Sequence, residues 1–256
     1  MRKIVFLHVS PTTPRPSREI PRVIKTALHE HTPDLLIGPE YLFTGGEKGV
    51  YTEQERNELI SALLDLSIGH HVVLIPGTIA WGMHVCSSLY YQNSAPVIHN
   101  GKLIANIKKV SLCDSDIRIC QGTNVTALGG SFNRMIFDMA VPSKRQAYID
   151  THSVKINGIT YCIEVCDDHS ATAHAGLDDS IVLPKFADVQ VILSAHHYGT
   201  FDTKESKFFL KDGGILIECN GISSVSYVGR LNGSEVTLLA VKKRENKTTD
   251  LISVDF

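Results

Sequence analysis

Three residues of complementary chemistry stand at informative places along the chain: Glu40, Lys109 and Cys166. Cys166 ends the apolar run Gly158-Ile-Thr-Tyr-Cys-Ile-Glu-Val-Cys and is followed by Asp167-Asp168-His169. A thiol where a buried strand emerges into a polar turn is fixed by the strand, and the turn offers backbone N–H groups to a developing oxyanion. A lone cysteine is more often an inert core residue, so Cys166 gains meaning only beside partners. Glu40 follows the run Asp34-Leu-Leu-Ile-Gly-Pro. A carboxylate partly desolvated there acquires the raised pKa of a general base; the ordinary alternative is a solvated loop glutamate. Lys109 lies in Ile107-Lys108-Lys109-Val110. Along a strand the two lysines point to opposite faces, so one can meet solvent while the other stabilises a tetrahedral intermediate. The ordinary alternative here is a basic edge strand.

The segments that would position these residues alternate in type. Lys3–Val9 reads as a strand, Arg18–Glu30 as a helix, and Asp34–Ile37 as a short buried strand closed by Gly38-Pro39. Thr52 caps a helix from Glu53 to Ile68, with Glu55 at the capping-box distance. Val72–Pro76 is a second buried strand. Leu89–Ile98 and Lys102–Val110 flank Asn100-Gly101, a hairpin signal, and Ser153–Val165 contains another at Asn157-Gly158. Val189–Ser194 reads as a strand, and Ser206–Lys211 begins a predicted helix. Ile215–Cys219, Ser224–Val228, Glu235–Ala240 and Leu251–Val254 finish with short strands. Early βα alternation followed by hairpins predicts an α+β fold of two sheets with helices outside. With no repeat, low-complexity stretch or long linker, residues 1–256 are expected to form one domain.

Composition narrows the function classes. A hydrophobic fraction of 43% and a charged fraction of 20% are ordinary globular values. A net charge of −2 gives no electrostatic case for binding nucleic acid or an anionic membrane. No apolar run approaches the roughly 20 residues of a membrane span, and the opening MRKIVFLHVS reads as a first strand rather than a signal peptide. A cytoplasmic location is therefore expected. The six cysteines, Cys86, Cys113, Cys120, Cys162, Cys166 and Cys219, are too scattered for a disulfide scaffold. A redox role would need Cys-x-x-Cys spacing, which neither Cys113/Cys120 nor Cys162/Cys166 has. Cys162, Cys166, His169 and His174 are of zinc-ligand type. On an extended strand, however, Cys162 and Cys166 lie about 13 Å apart, whereas two thiolates on one zinc are separated by at most about 4.6 Å. No metal is expected. Adjacent His196 and His197 point apart on a strand, leaving one of them, His196, to line a pocket.

Four segments, taken in order, resemble the motifs of the nitrilase superfamily of carbon–nitrogen hydrolases. Asp34–Gly45 (DLLIGPEYLFTG) is similar to the segment around its catalytic Glu, and Leu74–Ala80 (LIPGTIA) to the strand that follows. Asn93–Leu112 (NSAPVIHNGKLIANIKKVSL) resembles the hairpin ending in the catalytic Lys, and Gly158–Asp168 (GITYCIEVCDD) the elbow bearing the catalytic Cys. Ala187–Ser194, Ile215–Gly221 and Asp250–Phe256 resemble later elements, so the likeness covers nearly the whole chain.

The resemblance implies a four-layer αββα sandwich, pairing into a homodimer or larger homo-oligomer through the helical layers, and no cofactor. It implies amidase-type hydrolysis of a non-peptide C–N bond, a small linear amide first, with nitrile or carbamoyl substrates also compatible. Cys166 would be the nucleophile, Glu40 the base, and Lys109 with the backbone N–H of Asp167 the oxyanion stabiliser, through a thioester acyl-enzyme. The family frame selects Lys109; a slip of one residue would select Lys108. Asp168 matches a structural Asp. Two departures matter. The family's second active-site Glu has no counterpart in Cys113–Gly130, where Asp114, Asp116 and Gln121 stand near the expected place. Its aromatic-Pro-Glu after the Cys is replaced by Asp168–His174 (DHSATAH), which brings His169, with Gln121 and His196, to the substrate's vicinity. The missing Glu motivates the alternative of a catalytically inactive binding or scaffold protein. Glu164, Asp167, Asp168, Asp178 and Asp179 would either suit a cationic substrate or form a solvated acidic loop.

Overall fold

The computed structural model describes residues 2–7, 19–43, 50–85, 88–112, 116, 124–127, 131–132, 139–178, 180–195, 204–221, 225–243 and 249–254. Its first half runs β1 (Arg2–Leu7), α1 (Glu19–His31), β2 (Leu35–Ile37), α2 (Glu53–Ser67), β3 (Val73–Ile75), β4 (Ile79–Val85), β5 (Ser88–His99) and β6 (Lys102–Lys108). The short strands β7 (Ser111–Leu112), β8 (Asn124–Ala127) and β9 (Ser131–Phe132) follow. The second half runs α3 (Pro142–His152), β10 (Ser153–Ile156), β11 (Ile159–Val165), α4 (Asp167–Ala175), β12 (Ala187–Ser194), β13 (Leu210–Asn220), β14 (Val225–Asn232), β15 (Glu235–Lys243) and β16 (Thr249–Val254).

One sheet has the order β16-β1-β2-β3-β5-β4, with β6 and β8 also on β5; β1, β2 and β3 are parallel. The other runs β10 to β15 in chain order, parallel through β11, β12 and β13 and antiparallel at both flanks. Alternation along each strand separates the layers. Ile4 and Phe6 of β1 face Tyr161 and Ile163 of β11 in a core between the sheets. Val5 and Leu7 face outward onto α1 and α2, and Cys162, Ile192 and Leu216 lie outward in the core beneath α3 and α4. In α1, Ile20, Ile24, Ala27 and Leu28 form one buried stripe at helical spacing. The result is the αββα sandwich, an α+β fold. Among the described residues no helix is long and apolar enough to cross a membrane.

Local chemistry sets the register. The Thr52–Glu55 capping box is present at the start of α2. Both Asn-Gly hairpins turn with positive φ at each residue, 47° and 73° at Asn100-Gly101 and 51° and 84° at Asn157-Gly158, as a two-residue type I′ turn requires. The helix expected from Ser206 does not form. Glu205–Lys207 makes one 3-10 turn, and β13 begins at Leu210. Phe208, Phe209 and Leu210 are all buried, and the carbonyl of Phe209 accepts from the N–H groups of Phe186 and Ala187 at 3.0 Å each. Sheet pairing and burial on all sides override local helix propensity, which Gly213-Gly214 would weaken in any case.

The ends of β2 and β3 pass in backbone contact. A Cβ added at Gly38 would lie 2.3 Å from the Pro76 carbonyl oxygen. That closeness lets the chain leave β2 and place Glu40 within three residues. Gly38→Ala is expected to cost about 1–3 kcal/mol through overpacking, read as a lower thermal midpoint. A midpoint equal to that of the unmodified chain would refute the close-approach account.

Candidate active site

The hairpin register delivers the lysine. Ser94 pairs with Lys108 in the β5–β6 ladder, and one step further the Lys109 N–H donates to the Asn93 carbonyl at 2.8 Å. Lys108 is exposed, whereas Lys109 is buried. Its Nζ donates to Glu40 Oε1 at 2.8 Å and to Asp116 Oδ2 at 2.9 Å. Glu40 Oε1 also accepts from Asn93 Nδ2 at 3.0 Å, and Oε2 from the Ala195 N–H at 3.3 Å. Asp116 Oδ1 accepts from the Tyr41 hydroxyl at 2.6 Å and the Tyr91 hydroxyl at 2.9 Å. Of the three residues near the place of a second carboxylate, Asp116 therefore meets Lys109. Asp114, Gln121 and His196 lie outside the described residues. Tyr41, Tyr91 and Asn93 were not singled out in the sequence; the adjacency of Tyr41 to Glu40 was the one local signal, and the structure places Tyr41 at φ 56°.

Burying two carboxylates and an ammonium costs several kcal/mol per ion unless each is paired, and here each is. Burial pushes the Glu40 pKa up from its ordinary 4.5; Lys109 opposes this and the negative charge of Asp116 adds to it. A carboxylate raised in this way is suited to accept a proton near neutral pH.

Cys166 is the hinge between β11 and α4, with φ 50° and ψ −104°. Its N–H donates to the Leu193 carbonyl at 2.9 Å, while its carbonyl accepts from His169 at 2.9 Å and Ser170 at 3.3 Å. The side chain is partly exposed and hydrogen-bonds Glu40, and Ser194 Oγ lies 4.0 Å from its Sγ. Cys162 and Cys219 are buried, and burial pushes both thiols up. Asp167 opens α4, so its N–H lies at the positive end of a helix beginning right after the thiol.

Asp168 and His169 look away from that opening. Asp168 is fully buried and accepts from the N–H groups of Val110, at 3.1 Å, and Ser111, at 2.6 Å. It thereby ties the segment after Lys109 to the helix after Cys166. Burial pushes its pKa up, and His152, 3.6 Å away, opposes the rise. The His169 ring stacks on Phe208, and its Nδ1 lies 2.8 Å from Glu164 Oε2. Glu164 is fully buried and also takes Thr172 Oγ1 and Gln190 Nε2 at 2.6 Å each and the Tyr148 hydroxyl at 3.1 Å. Glu164 and Asp168 thus contribute neither to a cationic-substrate surface nor to a solvated loop. Glu164 and Asp168 are spent inside the protein, Asp178 binds Ser180 at the surface, and Asp179 lies outside the described residues. Among the described residues no three His, Cys, Asp or Glu side chains gather to hold a metal ion.

No family model matches the sequence, and no curated protein matches it. Solved structures do. A C-to-A mutant of the Nesterenkonia AN1 amidase from the nitrilase superfamily aligns with a TM-score of 0.58 at 13% identity, over 99% of this chain and 90% of that one. The chain has the nitrilase-type fold. A Glu-to-Gln mutant of the same amidase, carrying the product of Michael addition of acrylamide at its active-site cysteine, aligns at 0.57 and 12% identity, over 100% and 94%. A glutamine-dependent NAD(+) synthetase from Cytophaga hutchinsonii aligns at 0.54 and 13%, over 98% of this chain and 42% of that one. At such identities the nitrilase-type likeness carries the fold, and the chemistry rests on the geometry above.

A pH dependence follows from the buried carboxylate behind the thiol. Burial alone would raise Glu164, but the His169 charge and the bonds from His169, Thr172 and Gln190 hold it below its ordinary 4.5. Its ionised form therefore stabilises the fold fully above that value and loses the contribution as pH falls through the depressed one. Urea midpoints measured from about pH 5 down to pH 3 should fall less steeply in Glu164→Gln than in the unmodified chain. Parallel slopes would contradict this assignment.

Proposed function

We propose that this chain is an amidase-type carbon–nitrogen hydrolase whose nucleophile is Cys166 and whose substrate is a small linear amide. The observation that carries the reading is the buried Glu40–Lys109 pair, bonded to the Ala195 N–H one residue from the Ser194 hydroxyl that meets the Cys166 thiol. In this mechanism Glu40 takes the thiol proton as sulfur attacks the carbonyl carbon. Negative charge gathers on the carbonyl oxygen, opposite Lys109 and the Asp167 N–H. Collapse breaks the C–N bond, the amine leaves with the proton from Glu40, and a thioester remains. Glu40 then deprotonates a water that attacks the thioester; the C–S bond breaks, the proton returns to sulfur, and the acid departs. The Nesterenkonia amidase supports the reading by analogy, since the active-site cysteine of its Glu-to-Gln mutant adds to acrylamide. An inactive scaffold would gain nothing from burying two carboxylates and a lysine beside a partly exposed thiol, where aliphatic residues are often as stable or more so. A homo-oligomer paired through the helical layers belongs to the same proposal.

The direct test is intact mass after brief exposure to limiting iodoacetamide near neutral pH. Single labelling that maps to Cys166 and disappears in Cys166→Ala is expected; slow labelling spread over several cysteines would overturn the nucleophile assignment. The rate should also titrate. With Glu40 as base and its pKa raised, the acid limb of labelling lies above 4.5. Asp116→Asn removes a charge that raises Glu40, so the limb should move to lower pH. A limb that stays in place, or moves up, would remove Glu40 from the proton's path.

A further inference from the structure

Cys166 holds a backbone conformation that its own preferences do not supply. Its φ of 50° and ψ of −104° lie outside the wells open to an L-residue. Such a conformation costs on the order of 1–3 kcal/mol and persists only when the surroundings over-determine it. Its N–H is fixed by β12, and its carbonyl by the first turn of α4. What must be held constant is therefore the angle between the end of β11 and the start of α4.

Side-chain bonds span that angle. Glu164, two residues before the thiol, points to the helix side of β11 and grips His169 at 2.8 Å and Thr172 at 2.6 Å, three and six residues after it. Gln190 reaches Glu164 from β12 at 2.6 Å and with its other amide atom accepts from the Phe209 N–H at 2.9 Å, ahead of β13. Tyr148 adds a bond from α3 at 3.1 Å. Phe208 stacks on the His169 ring at 5.5 Å between centroids. Side chains from α3, α4 and β12 thus converge on one fully buried carboxylate.

We propose that Glu164 and His169 are positioning residues: a buried pair that staples β11 to α4 and holds the Cys166 thiol and the Asp167 N–H in attacking geometry. The inference rests on Cys166 being the nucleophile. It assigns a function to two residues that touch none of the reacting atoms and act through the elbow. A buried ion pair that serves only the fold would behave differently. Losing it would lower stability, and activity would fall only as far as the folded fraction does.

The test compares His169→Asn, whose amide nitrogen can replace Nδ1 as a donor to Glu164, with His169→Leu. Thr172→Val, a near-isosteric removal of one bond, serves as a mild third variant. The iodoacetamide labelling rate of Cys166 is measured on folded protein well below each thermal midpoint, with kcat and KM for whichever amide the unmodified chain hydrolyses. His169→Leu should slow labelling about tenfold to a hundredfold, the scale of a misplacement near 1 Å. The fall should appear in kcat with KM nearly unchanged. His169→Asn should recover most of the loss, and Thr172→Val should fall between. Selective labelling in the unmodified chain that His169→Leu and Thr172→Val leave unchanged would overturn this inference alone. An unmodified chain whose Cys166 reacts no faster than Cys162 or Cys219 would overturn the nucleophile assignment, and this inference with it.

Discussion

The structure is organised around one ammonium group. Lys109 Nζ sits between Glu40 and Asp116 at 2.8 and 2.9 Å, with all three side chains out of solvent. None of the three is tolerable in that place alone, because an unpaired buried charge costs more than most mutations a domain survives. The requirement propagates outward. Glu40 must leave β2 immediately, which demands the tight passage at Gly38. Lys109 must arrive in the right register, because a slip of one residue would turn it to the opposite face and bring Lys108 inward. The Asn100-Gly101 turn fixes that register from the far end of the hairpin.

The second sheet supplies the thiol, and two carboxylates flanking it join the halves. Asp168 reaches across to the backbone of Val110 and Ser111, just after Lys109. The Ala195 N–H, at the end of β12, reaches back to Glu40. Both links lie at the ends of the parallel strands where Cys166 emerges. The opposite end of the same sheet carries a cleft of about 470 Å³ lined by residues such as Ile159, Asp188, Lys211 and Arg230. Asp188 and Lys211 bond each other there at 2.9 Å, so those two charges largely satisfy one another. That cleft lies away from the thiol, and the chemistry lies where the strand ends bring three ionisable groups together.

Most strands, both hairpins and the first two helices were legible because their signals are local: apolar runs, Asn-Gly turns and the Thr52–Glu55 box. The helices α3 and α4 were not. Their sequences, PSKRQAYIDTH and DDHSATAHA, carry few large apolar residues and lack a side-chain N-cap bond. Beside Ala171 and Ala175, α4 buries Asp168, His169 and Thr172, residues that hydrophobic periodicity counts as solvent-facing. They are inside because each has a partner from another element, a fact no single window contains. The same blindness produced the helix expected at Ser206, where Phe208 and Phe209 answer to neighbouring strands. At the site, Glu40, Lys109 and Cys166 could be picked by residue type and order. Asp116 could only be one of three alternatives, since its selection depends on where Tyr41, Tyr91 and Lys109 meet.

That asymmetry bears on how the site works. The residues legible from sequence are those whose chemistry is intrinsic to their type, a thiol, a base and a cation. The residues that were not legible decide what those types can do. Asp116 raises Glu40 through its charge while helping to hold Lys109. Glu164 has the same carboxylate chemistry as Glu40 but the opposite shift, because histidine, threonine and glutamine donors outweigh its burial. Two buried glutamates on either side of one thiol are thus driven apart. One is tuned toward exchanging a proton, and the other is kept ionised as a fixed anchor. A pair of identical side chains acquires two roles from environment alone, which is why residue type could nominate the site and only the packing could divide its labour.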